Sequence, residues 1–265
     1  MKIYISADIE GVNNIANWKE TVPGDDYSTF RKQMTEEVKR ACLGAKEAGA
    51  TEILVKDAHD NARNILFEEL PEYVKLHRGW EGGPCSMMAS LDNSFDAVIF
   101  IGYHSPSRSD GNPLSHTMNT QIHHIKINGI LASEFLINAF YAAYLRVPVV
   151  FLSGDALLTR NVQSINKNIE VVATKEGVHG AVISRHPNLT NKEIQEKVKK
   201  SLAKKDLKQN IIKLPDSFDI EIQYKNFNDA YKASFYPGAT LFGTDRINYH
   251  TEDYYEALKM MKFLL

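Results

Sequence analysis

Only two cysteines occur in the 265 residues, Cys42 and Cys85, and they form no C-x-x-C pair. A disulfide scaffold and a thiolate metal knuckle are both excluded, and both thiols are read as reduced. Charge of one sign is also missing, because 31 basic and 33 acidic side chains leave a net charge of -2. Nothing in that balance calls for a nucleic acid or an anionic membrane as partner; small neutral or zwitterionic substrates suit it better. No apolar run reaches the roughly 20 residues of a membrane-spanning helix. The chain enters a strand at once, without a basic stretch and apolar leader, so a cytoplasmic location is expected. Internal repeats, low-complexity tracts, Pro/Ser-rich linkers and a glycine-rich phosphate cradle are absent as well.

What is present is an ordinary globular composition, 43% hydrophobic and 24% charged, enough to build a full core without staples. Strand-like and helix-like periods alternate through the first two thirds. "KIYISAD", "EILVKDAH", "DAVIFIGYH" and "VPVVFLSGD" are β-branched runs without clean alternation, the pattern of strands buried on both faces of a parallel sheet. Between the first two, Phe30, Met34, Val38, Ala41 and Ala45 recur at helical spacing and stop at Gly49. The expected fold class is therefore α/β, a mostly parallel central sheet flanked by helices, with its ligand crevice beyond the carboxyl ends of the strands.

Asn128-Gly129 predicts a small hairpin excursion, and Ser133 is placed to cap the helix that follows. Ile194, Val198 and Leu202 mark one face of an amphipathic helix whose lysines face solvent. The last stretch reads as strand, short helix, strand and closing helix. The whole, residues 1–265, is expected to be one domain, a core over 1–205 and a smaller C-terminal α/β lobe over 206–265.

Against this frame several residues stand out at one rim. Asp8 and Glu10 follow the first strand, two positions apart and so on one face, just before Gly11. Two carboxylates that close repel, and either water solvates both, or one holds a proton, or a cation sits between them. Taken alone, a solvated strand end explains the pair. But "ILVKDAHD" ends with Asp57 and His59, "AVIFIGYH" ends with His104, and Glu134 opens the helix after the hairpin. Together these describe a metal site. Carboxylates and imidazoles without thiolate suit Zn²⁺ ahead of Mn²⁺ or Co²⁺, whereas Mg²⁺ and Ca²⁺ want oxygen-rich shells. Five protein ligands exceed what one catalytic zinc commonly takes. If Asp8 bridges, Glu10 and His59 complete one ion, and His104 and Glu134 a second. His116, in the loop "SPSRSDGNPLSHTMN", is either a solvent-facing loop histidine or a group that donates a proton or stabilises a tetrahedral intermediate.

These residues resemble the zinc D-aminopeptidases, the peptidase M55 or dipeptide-transport-operon aminopeptidase family. Its signature S-x-D-x-E-G reads here Ser6-Ala7-Asp8-Ile9-Glu10-Gly11, and the similarity continues through "TEILVKDAHDNARN", "DAVIFIGYH", "LSHTM", "INGILASEFLINAFYAAYLRVPVVFLSGD" and "VVATKEGVHGAVISR". The resemblance spans nearly the whole chain and weakens towards the C-terminus. It implies that Asp8, Glu10, His59, His104 and Glu134 ligate two zinc ions per subunit, with Asp8 bridging, and that His116 takes part in catalysis. It further implies an aminopeptidase acting on short, D-amino-acid-containing peptides, in a homo-oligomer resembling the family's ring-stacked decamer, whose sites face an internal chamber. Two departures touch substrate preference: Lys56-Asp57-Ala58-His59 stands where the family often has N-D-S-H, and Ser133 where a glycine is common. Lys175, in "ATKEGVHGA", either contacts the site from a neighbouring loop or, the reading preferred here, is a surface lysine. The rival readings are a binuclear metal phosphoesterase or amidase, for which Arg63 and Arg108 near the rim are the phosphate-binding candidates, and a non-enzymatic ligand-binding protein with a structural ion.

Overall fold

A computed structural model describes residues 1–265. Twelve strands and six helices follow one another along the chain. The strands are β1 (Lys2–Ala7), β2 (Glu52–Asp57), β3 (Val74–His77), β4 (Ala97–Tyr103), β5 (Ile122–Ile127), β6 (Ile130–Leu131), β7 (Val149–Asp155), β8 (Glu170–Val178), β9 (Ala181–Ser184), β10 (Phe218–Tyr224), β11 (Thr240–Phe242) and β12 (Arg246–Thr251). The helices are α1 (Tyr27–Glu47), α2 (Glu134–Tyr144), α3 (Ala156–Ile165), α4 (Pro187–Leu202), α5 (Phe227–Ala233) and α6 (Tyr254–Leu264). No helix is long and apolar enough to cross a membrane.

The larger sheet has the order β3-β2-β1-β4-β7-β8-β9, parallel except for β9, as the unalternated apolar runs predicted. Both of its faces are buried, and successive residues divide between two cores. Ile3, Ile5, Ile99 and Ile101 pack with Met34 and Val38 of α1 and with Ile194, Val198 and Leu202 of α4. Tyr4, Val98 and Phe100 pack on the other side with Phe135 and Ala139 of α2 and Met260 and Met261 of α6. Phe100 meets Tyr103 and Phe135 edge-on at 4.8 and 5.3 Å. A fully buried aromatic of this kind contributes about 1.5–3 kcal/mol, which seats the first turn of α2, and with it Glu134, firmly on the sheet.

The hairpin turns at Asn128 and Gly129, both at positive φ, as the dipeptide predicted. It does not stand apart. β5 pairs with β10, so the hairpin and the C-terminal segment form a single antiparallel sheet, β11-β12-β10-β5-β6. Ile125, Ile127, Ile220 and Ile222 point from it into the core shared with α2 and α6. The segment "VVATKEGVHGAVIS" is an antiparallel pair, β8 and β9, at one edge of the larger sheet.

The order of the larger sheet locates the crevice. After β1 the chain adds β2 and β3 on one side, then crosses over to place β4, β7 and β8 on the other. The reversal lies between β1 and β4, the switch point at which open α/β sheets bind ligands.

Candidate metal centre and active site

The site is assembled from four chain segments that leave the sheet or approach its carboxyl edge. The turn after β1 lies against the end of β4, where the Asp8 and Gly11 amides donate to the Ile101 and Gly102 carbonyls, each at 2.8 Å. A Cβ on Gly11 would fall 1.7 Å from the Tyr103 carbonyl oxygen, so only glycine allows this approach. Gly102 has φ +69, and a Cβ there would meet the Asp8 carbonyl at 2.3 Å. The signature glycine therefore serves geometry: it lets Asp8 and Glu10 turn back over the neighbouring strand.

His59 sits on the loop after β2, and Asp57 builds that loop. Its carboxylate accepts from the Asn64 and Ile65 amides at 2.6 and 2.8 Å and from the Asn64 side chain at 2.8 Å, while Asn64 also donates to the His59 carbonyl. Three of the roughly four acceptor sites of the Asp57 carboxylate are thus spent on folding this loop. His104 follows β4, and the next residue, Ser105, is held by Asp155 through its amide at 2.6 Å and its hydroxyl at 2.5 Å. Glu134 is the first residue of α2; Ser133 caps the helix by accepting from the Leu136 amide, as expected. His116 enters from its loop and stacks on His104 with ring centroids 4.3 Å apart and planes 7° from parallel.

These segments bring all six residues singled out in the sequence into one buried group. His59 Nδ1 lies 3.3 Å from Asp8 Oδ1 and 3.0 Å from Glu10 Oε2. His104 Nε2 lies 3.5 Å from Asp8 Oδ2 and 3.4 Å from Glu134 Oε2. His116 Nε2 is further out, 3.8 Å from Glu10 and 3.6 Å from Glu134. Two sets of donor atoms follow, Asp8 with Glu10 and His59, and Asp8 with His104 and Glu134, using opposite oxygens of Asp8; Glu10, His104 and His116 form a third, overlapping set.

The hydrogen bonds decide what this group can do. His59 donates from Nε2 to the Thr21 carbonyl (2.9 Å), His104 from Nδ1 to the Ser105 carbonyl (2.9 Å), and His116 from Nδ1 to the Leu114 carbonyl (2.8 Å). In the neutral tautomers this leaves the second nitrogen of each ring as a lone pair facing carboxylate oxygens, acceptor against acceptor. Asp8 Oδ2, Glu10 Oε2 and His104 Nε2 are buried with no hydrogen-bond partner. Either the imidazoles take protons or a cation fills the gap. Donor separations of 3.0–3.5 Å match the edge of a tetrahedron, about 3.3 Å when metal–ligand bonds are 2.0–2.1 Å long, the lengths zinc makes. The donor set fits zinc.

The electrostatics agree. Burial, then the charge of Glu10, pushes Asp8 well above the usual carboxylate range. Burial also pushes Glu10 up, but His59, His116 and His104 together hold it well below. Burial alone would lower the histidines; the surrounding carboxylates, Glu10 foremost for His59 and Glu134 for His104, instead raise His59 well above its ordinary value and His104 to about 10. Without a cation, protonated imidazoles stand in as counter-charges. His116 is the exception, pushed down by burial and by His104.

Lys175 corrects an expectation. It is buried in β8, not on the surface, and donates to the Glu10 and Ile15 carbonyls, both at 2.5 Å. Burial pushes its ammonium down to about 8. Asn112 donates to the same Glu10 carbonyl at 2.9 Å, so the backbone under Glu10 is tied twice. Nothing local in "ATKEG" signals this, because both partners lie about 160 residues away. Arg63 and Arg108, the phosphate-binding candidates, are exposed and neither lines the metal-site cleft.

The family model for peptidase M55, described as D-aminopeptidase, matches residues 1–263. The chain belongs to that family. A D-aminopeptidase of Bacillus subtilis (strain 168) is 30% identical over 264 residues, covering 98% of this chain and 95% of the relative. The solved structure of the Zn-dependent D-aminopeptidase DppA from Bacillus subtilis, described as a self-compartmentalizing protease, is similar with a TM-score of 0.92 and 29% identity, over 100% of this chain and 96% of that one. Membership makes this chain a peptidase, a metal-dependent hydrolase of the aminopeptidase type.

Proposed function

We propose that the chain removes the N-terminal residue from short peptides containing D-amino acids, using two zinc ions that share Asp8. The observation that carries the reading is the division of buried donors into two sets on opposite oxygens of one carboxylate. No lysine or arginine forms an ion pair with Asp8, Glu10 or Glu134, so their charge is left for a cation to balance. Asp8, Glu10 and His59 would hold one ion, and Asp8, His104 and Glu134 the other.

When bound, zinc lowers the pKa of water to about 7 and polarises a carbonyl. The chain's own residues supply the rest. Thr21 and Ser105 fix the tautomers of His59 and His104, so the correct nitrogens face inward. His116, tied through Nδ1 to Leu114, turns Nε2 towards Glu10 and Glu134 as an unprotonated base. From there it takes the proton of the attacking water and returns it to the leaving amine.

The reading treats residues 1–265 as one peptidase domain, because β5 of the first two thirds shares a sheet with β10 of the C-terminal segment. It also includes a homo-oligomer, a decamer by the family resemblance. Two things support assembly: the solved neighbour is described as self-compartmentalizing, and Phe227, Tyr231 and Phe235, four apart on and just after α5, stay 62, 59 and 71% exposed. Light scattering on the purified chain tests that part. The two free thiols suit the expected cytoplasmic location.

The activity test starts from protein stripped with chelator and reloaded with zinc. It is assayed against matched D- and L-aminoacyl amides, short peptides and a generic phosphoester. Zinc-restored hydrolysis of the D-amides is expected. Turnover of the phosphoester alone would make the centre a phosphoesterase, and no turnover at all by loaded protein would contradict an enzyme.

A further inference from the structure

The chain has only two tryptophans, Trp18 and Trp80, 62 positions apart and on different loops, yet both line the cleft of about 250 Å³ over the metal site. Trp18 is 39% and Trp80 41% exposed. Leaving that much indole in water is unfavourable, so rings held open in this way invite an apolar partner.

Each ring is fixed independently. Trp80 donates from Nε1 to the Asp60 carbonyl at 2.6 Å. The Lys56 ammonium lies 4.3 Å from its ring centroid and donates to the Gly79 carbonyl at 2.6 Å, pinning the loop beneath the ring. Trp18 opens a short 3-10 turn closed by a capping box, in which the Lys19 amide donates to Asn17 and the Asn17 amide donates to Glu20. Its ring packs edge-on against His116, 5.1 Å between centroids. One indole therefore stands beside His116 and the other beside the loop that carries His59. Between them the lining is Val22, Ala58, Met87 and Met118 with the small polar Ser86, and the only charged side chain outside the metal-site group is Asp60.

We infer that Trp18 and Trp80 form the subsite for the substrate's N-terminal side chain, and that it selects a large apolar one, aromatic or branched aliphatic, over a methyl group. Lys56 is then a positioning residue acting through Trp80. The inference rests on the peptidase reading for its reaction, but it concerns binding and can fail separately.

The test compares zinc-loaded wild type, Trp80→Ala, Trp18→Ala and the conservative Trp80→Phe on D-phenylalanine amide and D-alanine amide. Wild type should favour the former in kcat/KM by at least roughly 10- to 200-fold, the discrimination that a single methylene supplies in an apolar pocket. Each alanine variant should shrink that ratio at least about tenfold, and Trp80→Phe should recover part of it. A second readout needs no turnover: because both indoles lie in the cleft, free D-phenylalanine should shift intrinsic fluorescence at concentrations where D-alanine does not. If wild type prefers the alanine amide, or if the ratio is the same in folded alanine variants, the subsite is wrong while the peptidase reading stands. If neither amide is cleaved, the reaction assignment fails, and the fluorescence titration alone upholds or overturns the pocket.

Discussion

Two of the histidine–carboxylate groups in this molecule differ in what balances the charge. On the second sheet His124 bonds Glu221 at 2.8 Å, and Lys126 and Arg246 reach the same carboxylate at 3.1 and 3.5 Å. Glu221 is partly exposed and has three cationic or donor partners. At the switch point, Asp8, Glu10 and Glu134 are almost wholly buried, face three imidazoles and have no lysine or arginine in an ion pair. The stretch "HHIKI" is richer in histidine than any segment of the site. Density of histidine is thus a poor sign of a metal centre; a buried negative group without its own cation is a good one.

That contrast can be broken deliberately. Asp8→Ala should abolish it most completely, since both donor sets lose a member at once. Zinc affinity should fall by more than the 10- to 100-fold that loss of an outer partner costs, measured by competition with a chromophoric chelator, and activity should go with it. His116→Ala should leave zinc content intact while lowering kcat by about 10² to 10⁴, the usual worth of a general acid–base group. Loss of zinc in that variant would make His116 a ligand.

A third experiment sharpens the comparison through pH. In metal-free protein the His104 value of about 10 lies above its ordinary 6.5. A group raised on folding stabilises fully below its unfolded value and loses that contribution as pH climbs through its folded one. The Tm of stripped protein should therefore fall between about pH 6.5 and 10, and zinc should remove most of the decline. His59, raised in the same direction, adds to it. The smallest effect belongs to the second sheet: Glu221→Gln should change stability by about 1 kcal/mol or less, as partly exposed ion pairs do, and should change neither zinc content nor kcat/KM.

Much of this is legible in the sequence alone. β1, β2, β4 and β7 announce themselves as apolar runs, and acids and histidines placed just past such runs must meet at one edge once the strands lie parallel. That reasoning reaches Asp8, Glu10, His59 and His104, and the cap at Ser133 orients Glu134. The rest depends on contacts that no local pattern records. Pairing of β5 with β10 joins segments about 95 residues apart in sequence, closing a sheet that the hairpin signal alone suggests as an isolated excursion. Lys175 looks like any lysine until β8 is seen to pass beneath the Glu10 backbone. Trp18 opens a single 3-10 turn and Trp80 lies in an irregular loop, both too short for periodicity to register, and their positions are decided by local ties such as the Asn17–Glu20 capping box and Lys56 on Gly79. Asp57, by contrast, lies at the rim as its place at the end of β2 predicts, but is spent on folding the loop that presents His59.

The claim on which the rest depends is that two divalent ions sit on opposite oxygens of Asp8. A crystal of zinc-loaded protein, measured on both sides of the zinc absorption edge, tests it directly. Two anomalous peaks are expected, one among Asp8, Glu10 and His59 and one among Asp8, His104 and Glu134. A single peak, or none within this group of residues, would contradict the account.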